Sequence, residues 1–170
     1  MKGGAGVRIG IVVVVLVVLQ FAVRPLIPWR VSPDFVVIAL LYAALRVRPG
    51  SAAVLGFVLG LATDSLALGG FGAGALALSV VGFGASWLRA AFFADTVAIN
   101  AGFLFAGKWV FDLIYVLVQH RLPVGGTLAQ LLLWSVLSAA FTAVAGVVVL
   151  AILRPLTGAV ADVRGRGPVR

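Results

Sequence analysis

Long apolar runs, separated by short polar or basic turns, fill almost the whole chain. A helix that crosses a membrane needs about 20 mainly apolar residues, and the runs approach that length. They predict six helices, at about residues 9–23, 33–45, 51–68, 75–88, 96–119 and 127–153, with a basic cytoplasmic tail over 154–170. No internal repeat or linker divides them, so we expect a single transmembrane domain over residues 1–170, built as a compact all-α bundle.

The second run, 33–45, leaves two topologies open. It begins at Ser32-Pro33-Asp34, where Ser suits a helix N-cap, Pro the first turn and Asp the positive end of the helix dipole. It is short for a full crossing, so the chain has either six spans or, if this run does not cross, five. Both arrangements keep most Lys and Arg residues in the cytoplasm, as the positive-inside rule requires. We favour six spans with both termini cytoplasmic, because five would export Lys2 and Arg8.

The composition excludes a soluble protein. Hydrophobic residues make up 63% of the 170-residue chain and charged residues 11%, whereas soluble domains have about 25% charged residues. The net charge of +8 would suggest a nucleic-acid partner in a soluble protein, but here the basic residues lie between apolar runs and set membrane orientation. We therefore expect a multi-pass protein that contacts membrane lipids and no nucleic acid.

Residues suited to catalysis are scarce. The chain has one histidine, His120, in a predicted turn, and no cysteine, which excludes thiolate chemistry, disulfides and clustered zinc ligands. Residues 69–74 are glycine-rich but lack the Lys-Ser/Thr of a phosphate-binding loop, and residues 84–88 lack the last glycine of a hydrolase elbow. A pair of Asp64 and Asp112 for intramembrane proteolysis has no supporting motif. We predict no enzyme activity, no metal and no cofactor.

Three charged residues fall inside predicted spans: Asp64 in the third, and Lys108 and Asp112 in the fifth. Each costs about 2.5–3.5 kcal/mol near the bilayer centre unless it faces protein or water. All three lie at a similar height in the outer half of the membrane, and Lys108 and Asp112 are i,i+4 neighbours. We hypothesise a buried polar cluster in which Lys108 neutralises one or both carboxylates. The alternative is a single Lys108–Asp112 pair, with Asp64 hydrated near the outer interface.

Small residues form a stripe on the third predicted helix. Ala52, Gly56 and Gly60 recur every four residues and lead to Asp64, so they share one helix face. Small residues let neighbouring backbones approach closely, and Gly-x-x-x-Gly is a common form of this packing. The stripe is therefore predicted to be buried, either inside the bundle or against a helix of a partner protein.

The segment from Ser32 to about Arg89 resembles a known family. It reads SPDFVVIALLYAAL, then GFVLGLATDS at residues 56–65, then GGFGAGALAL at 69–78. A Pro-Asp opening, a Tyr-containing helix, a Gly-rich helix ending in G-L-x-x-D and a glycine-led turn, in this order, resemble the rod shape-determining protein MreD family. The matching positions are Pro33, Asp34, Tyr42, Gly56, Gly60, Leu61, Asp64 and Gly72. The part from Asp95 onward resembles the family only in hydropathy and length.

The resemblance implies a non-catalytic scaffold subunit of the bacterial cell-elongation (rod) complex, in the inner membrane, that supports peptidoglycan synthesis and cell shape. It implies direct binding of MreC and, through the complex, of MreB, RodA and a class B penicillin-binding protein. It also implies a fold similar to the S components of energy-coupling-factor transporters, and hence an alternative function: a membrane subunit that binds a vitamin-type small molecule. We favour the scaffold, because the chain has few polar side chains to line a ligand pocket.

Overall fold

The computed structural model describes residues 3–23, 33–66, 71–88, 97–119 and 134–162. Within these ranges the chain forms six helices and no strand, as the apolar runs predict. The helices are α1 (Gly3–Val23), α2 (Phe35–Ala44), α3 (Pro49–Leu66), α4 (Ala73–Leu88), α5 (Val97–Val118) and α6 (Val136–Asp162).

Several helix ends differ from the prediction, most of all at the two ends of the chain. α1 begins at Gly3 rather than at residue 9, because the glycines before the apolar run do not interrupt its hydrogen-bond ladder. α6 continues to Asp162, although Arg154-Pro155 was predicted to end it. Proline removes one backbone donor, and here the alanine- and leucine-containing residues after it remain helical. The predicted start of this helix at 127–133, His120, and the end of the basic tail at 163–170 lie outside the described residues.

α2 lies at the centre of the bundle. All ten of its residues are buried, and it contacts each of the other five helices. Its sequence is apolar on every face, which is what a helix surrounded by other helices requires. Ten residues extend about 15 Å, roughly half the thickness of the hydrocarbon core of a bilayer. Residues 24–32, which precede this helix, lie outside the described ranges.

The outer surface of the bundle is apolar. Two helical segments, Pro49–Leu66 and Ala98–Val118, are long and apolar enough to cross a membrane. Large apolar side chains are exposed on the outside of several helices, among them Val14, Val18, Val54, Phe57, Val58, Phe83, Phe141, Val144 and Val148. In a soluble protein, large apolar side chains face inward and charged ones face outward. On α3 this distribution is reversed, since large apolar side chains face outward and the buried ones are small or charged. Such a surface matches lipid rather than water.

The small-residue stripe packs inside the bundle, against α4. The buried residues of α3 are Ala52, Gly56, Gly60 and Asp64, the four positions of the predicted stripe. A Cβ atom at Gly56 or Gly60 would overlap the backbone of α4, at Leu78 and Ala75 respectively. At the other end, a Cβ at Gly82 would lie 2.6 Å from the carbonyl oxygen of Ala52, so the two helices are antiparallel. Because α4 covers this face, the stripe is not available to a partner protein.

The close α3–α4 contact predicts unequal effects for two Gly→Ala substitutions. At Gly60 the added methyl group would meet backbone, whereas at Gly84 it would meet nothing within 4 Å. Both changes raise helix propensity by the same amount, so their difference isolates the clash, which should cost about 1–3 kcal/mol. We expect Gly60→Ala to lower the melting temperature in mild detergent, measured by size-exclusion chromatography after heating, and Gly84→Ala not to lower it. Equal melting temperatures would contradict the packing.

Candidate functional site

Lys108 lies between two carboxylates inside the bundle. Its Nζ atom is 2.7 Å from Asp112 Oδ1, the i,i+4 partner predicted from the sequence, and 3.1 Å from Asp34 Oδ2 at the start of α2. The Lys108 side chain is only 7% exposed. Its ammonium group also lies 4.7 Å from the centre of the Phe111 ring. We call Asp34, Lys108 and Asp112 the Lys108 cluster; it joins α2 to α5.

Asp34 belongs to this cluster because it is the N-cap of a buried helix. Its backbone is extended and its Oδ1 accepts a hydrogen bond from Val37 N at 3.3 Å, so Asp34 rather than Ser32 is the cap. The first backbone N–H groups of α2 also need partners, since no preceding turn supplies them. Asp34 N donates to Thr142 Oγ1 of α6 at 3.2 Å, and Phe35 N donates to Gln20 Oε1 of α1 at 2.7 Å. Four helices therefore meet in polar contacts at this point.

Asp64 has a different role from the one expected. It is 5% exposed, and among the described residues its bonds go to backbone rather than to Lys108. Its Oδ2 accepts from Gly72 N at 2.9 Å and from Ala75 N at 3.1 Å, at the start of α4. The positive end of a helix stabilises a carboxylate without a basic side chain. The turn requires Gly72, whose φ of +99° strains other residues.

Sequence reasoning missed Asp34 as a partner of Lys108. The two residues are 74 positions apart in the chain. The signal that could have found it is the shortness of the second apolar run. About ten residues separate Asp34 from the basic turn at Arg46, which puts Asp34 some 15 Å above that end of the bundle. Lys108 lies at nearly the same height above the start of α5, about 16 Å. The matching heights indicate a pair, but only once α2 is known to run beside α5.

A cavity of about 220 Å³ adjoins the cluster. Asp34, Asp64 and Lys108 all line it, so the structure does bring Asp64 close to the Lys108 cluster without an ion pair between them. The other lining residues are Gln20, Phe21, Val36, Val37, Thr63, Gly74, Leu78, Phe111, Tyr115 and Ser138. They come from the ends of α1, α3 and α5 and from the beginnings of α2, α4 and α6. The cavity therefore lies toward one end of the bundle.

The arrangement stabilises helix ends electrostatically. Within the described ranges, no three His, Asp or Glu side chains converge as a metal site would require. The carboxylates bind backbone N–H groups or the Lys108 ammonium.

The family model for the rod shape-determining protein MreD matches residues 4–157. The chain belongs to the MreD family. The match extends well beyond the first half of the chain, to which the motif resemblance was confined, and covers Lys108 and Asp112. The MreD family is a membrane protein family with a role in rod shape determination, and it is not a known enzyme family. No curated protein and no solved structure matches the chain significantly.

The positions that carry the MreD resemblance lie at both ends of α2 and along α3. Asp34 and Asp64 cap helices, as described above. At the far end of α2, Tyr42 is buried, and the guanidinium group of Arg46 lies 3.8 Å from its ring centre and donates to its carbonyl oxygen at 2.9 Å. Pro33 and Leu61 are half-buried beside Asp34 and on α3. The family motif thus coincides with the contacts that fix α2 and the α3–α4 pair.

Removing the charge of Lys108 should destabilise the fold strongly. Lys108→Met leaves the largely buried carboxylates of Asp34 and Asp112 without a cation, and loss of one partner of a buried ion pair typically costs about 3–5 kcal/mol. We expect a low yield of monodisperse protein in detergent. The matched control is the triple variant Lys108→Met/Asp34→Asn/Asp112→Asn, which removes all three charges and should recover much of the yield. A normal yield of Lys108→Met alone would contradict the Lys108 cluster.

The two roles of Asp34 can be separated by two substitutions. Asp34→Asn loses the ion pair with Lys108 but keeps an oxygen that accepts from Val37 N, whereas Asp34→Ala loses both. Loss of an N-cap costs about 0.5–2 kcal/mol. We therefore expect Asp34→Ala to melt at a lower temperature than Asp34→Asn, measured on both variants in the same detergent. If the two melt together, the cap does not contribute to stability.

Proposed function

We propose that this protein is a non-catalytic scaffold of the bacterial cell-elongation complex that binds MreC and supports peptidoglycan synthesis and rod shape. The observation that carries the proposal is the MreD family match over residues 4–157. The buried charges support it, because Asp34, Asp64, Lys108 and Asp112 hold helix ends and helices together. A protein built in this way acts by presenting surfaces to partners. MreB, RodA and a class B penicillin-binding protein would be reached through MreC.

The proposed topology is six spans in the inner membrane, with both termini in the cytoplasm. Helix directions support an alternating path. α3 and α4 are antiparallel. α2 and α6 are parallel, since Asp34 contacts Thr142 and, four residues further along each helix, Ile38 lies near Gly146. An up-and-down path requires both relations. In this topology, the segment 33–45 forms the second crossing, and the fold is similar to that of energy-coupling-factor S components.

The proposed MreC contact lies at the outer end of the α3–α4 pair. The Gly56/Gly60 face is covered by α4, and α2 is buried, so neither offers a surface. At the end of α3 and in the turn before α4, however, Leu66 is 64% and Phe71 72% exposed. Exposed large apolar side chains at the end of a helix pair are suitable anchors for a partner.

A co-purification experiment tests the scaffold. The full chain is co-expressed with MreC from the same organism and purified in mild detergent. We expect a complex, and we expect Leu66→Ser/Phe71→Ser to lower the recovery of MreC about tenfold, a loss typical of an interface anchor. The control is Val54→Ser/Val58→Ser, two exposed apolar residues in the middle of α3, which should retain MreC.

The possible outcomes separate the two functions. Failure of the folded, unsubstituted chain to bind MreC would overturn the scaffold. A vitamin that co-purifies with the protein, together with that failure, would support the transporter alternative, for which the 220 Å³ cavity is the favouring observation. Restoration of rod shape in bacteria depleted of their own MreD-family protein would further support the scaffold. Loss of MreC by both double variants would place the contact elsewhere.

A further inference from the structure

An apolar groove of about 500 Å³ runs along the first half of α3. The residues that line it within the described ranges are Gly50, Ser51, Val54, Leu55, Val58 and Leu59. Leu55 and Leu59 pack against the core and form its inner side, whereas Val54 and Val58 are exposed. Residues 50–59 extend about 14 Å along the helix axis, and the hydrocarbon of one bilayer leaflet is about 15 Å thick. The groove therefore matches the depth of one leaflet.

The groove begins at the level of the membrane surface. Ser86 Oγ donates a hydrogen bond to the carbonyl oxygen of Val47 at 2.7 Å, which places the neighbouring Trp87 level with the turn between α2 and α3. Trp87 is 70% exposed, and exposed tryptophans in membrane proteins concentrate at the boundary between lipid and water. Because Gly50 follows Val47 by three residues, the groove runs from the headgroup level into the hydrocarbon.

Two exposed arginines, Arg46 and Arg48, lie in the turn that leads into the groove. Arg46 donates one hydrogen bond to the carbonyl oxygen of Tyr42, and neither arginine forms an ion pair with an acid whose side chain is described. The rest of the sequence does not reverse the sign of this end. In the proposed topology, most of the 13 Lys and Arg residues belong to this side of the membrane, against Asp95 and Asp162 of the five acids.

We propose that this groove binds one acyl chain of an anionic phospholipid, whose phosphate is bound by Arg48 and Arg46. The apolar groove alone accepts an acyl chain of any lipid, so the arginines supply the selectivity. The guanidinium group presents its N–H donors in a planar fork that fits phosphate oxygens. This binding goes beyond the scaffold and does not depend on MreC. It rests on the proposed topology only for its assignment to the cytoplasmic leaflet.

The test uses the purified full chain in detergent. Phosphatidylglycerol or phosphatidylcholine with identical acyl chains is titrated into the micelles, and bound lipid is counted by native mass spectrometry. We expect phosphatidylglycerol to be retained and to raise the melting temperature, and phosphatidylcholine to do neither. Glycerol 3-phosphate, which has the phosphate but no acyl chain, should not displace the lipid.

Two pairs of variants locate the site. Arg48→Gln should weaken phosphatidylglycerol binding about fivefold, since a basic residue near anionic lipid contributes about 1 kcal/mol, whereas Arg48→Lys should retain most of it. Val58→Trp fills the groove with an apolar side chain and should weaken binding about tenfold or more. Its matched control is Val144→Trp, at an exposed valine of α6 that does not line the groove, which should leave binding unchanged.

Four results would overturn the proposal. They are equal retention of the two lipids, unchanged phosphatidylglycerol binding in folded Arg48→Gln, the same loss in Val58→Trp as in Val144→Trp, and displacement of the lipid by glycerol 3-phosphate. Each can occur while the chain still binds MreC, so failure of this site is distinguishable from failure of the scaffold.

Discussion

Backbone N–H groups at the start of a helix need hydrogen-bond partners, and a membrane-embedded bundle has little water to supply them. Among the described residues, α2 and α4 begin inside the bundle, and an aspartate binds the first N–H groups of each: Asp34 caps α2, and Asp64 accepts from the start of α4. A buried carboxylate then needs positive charge near it. For Asp64 the helix dipole and two N–H bonds provide it, whereas Asp34 also takes an ion pair from Lys108, which in turn needs Asp112. The buried charges thus follow from the placement of helix ends.

Close backbone packing makes this arrangement possible. Asp64 reaches the start of α4 only because Gly56 and Gly60 let α4 approach α3 until backbone meets backbone. The close packing and the Asp64 hydrogen bonds depend on each other. The glycines bring the N–H groups of α4 within reach of Asp64, and the carboxylate bonds fix the register of α3 and α4. Burial of the fully apolar α2 then fills the space among the remaining helices. The contributions of hydrogen bonding and of packing to the stability of this fold are therefore coupled rather than additive.

Much of the fold was predictable from the sequence because membrane helices leave a strong hydropathy signal. The six helices, the buried face of Ala52, Gly56, Gly60 and Asp64, and the spacing of Lys108 and Asp112 all depend on local periodicity. What local periodicity does not contain is which helices are neighbours. The pairing of Lys108 with Asp34, and of Asp64 with the start of α4, depends on tertiary packing. For Asp64 the glycine-rich turn gave a clue, since it brings α4 back against α3 within a few residues.

The 74 residues between Asp34 and Lys108 have a consequence for biogenesis. A ribosome adds about 5–20 residues per second, so Asp34 is made roughly 4–15 seconds before its cation. Thr142 of α6, which accepts from the Asp34 backbone, is made later still, 108 residues after Asp34. During this interval α2 lacks its ion pair and its contacts with α5 and α6, and it is about half as long as the bilayer core is thick. We therefore expect α2, the central helix, to reach its final position only after α5 and α6 have been inserted.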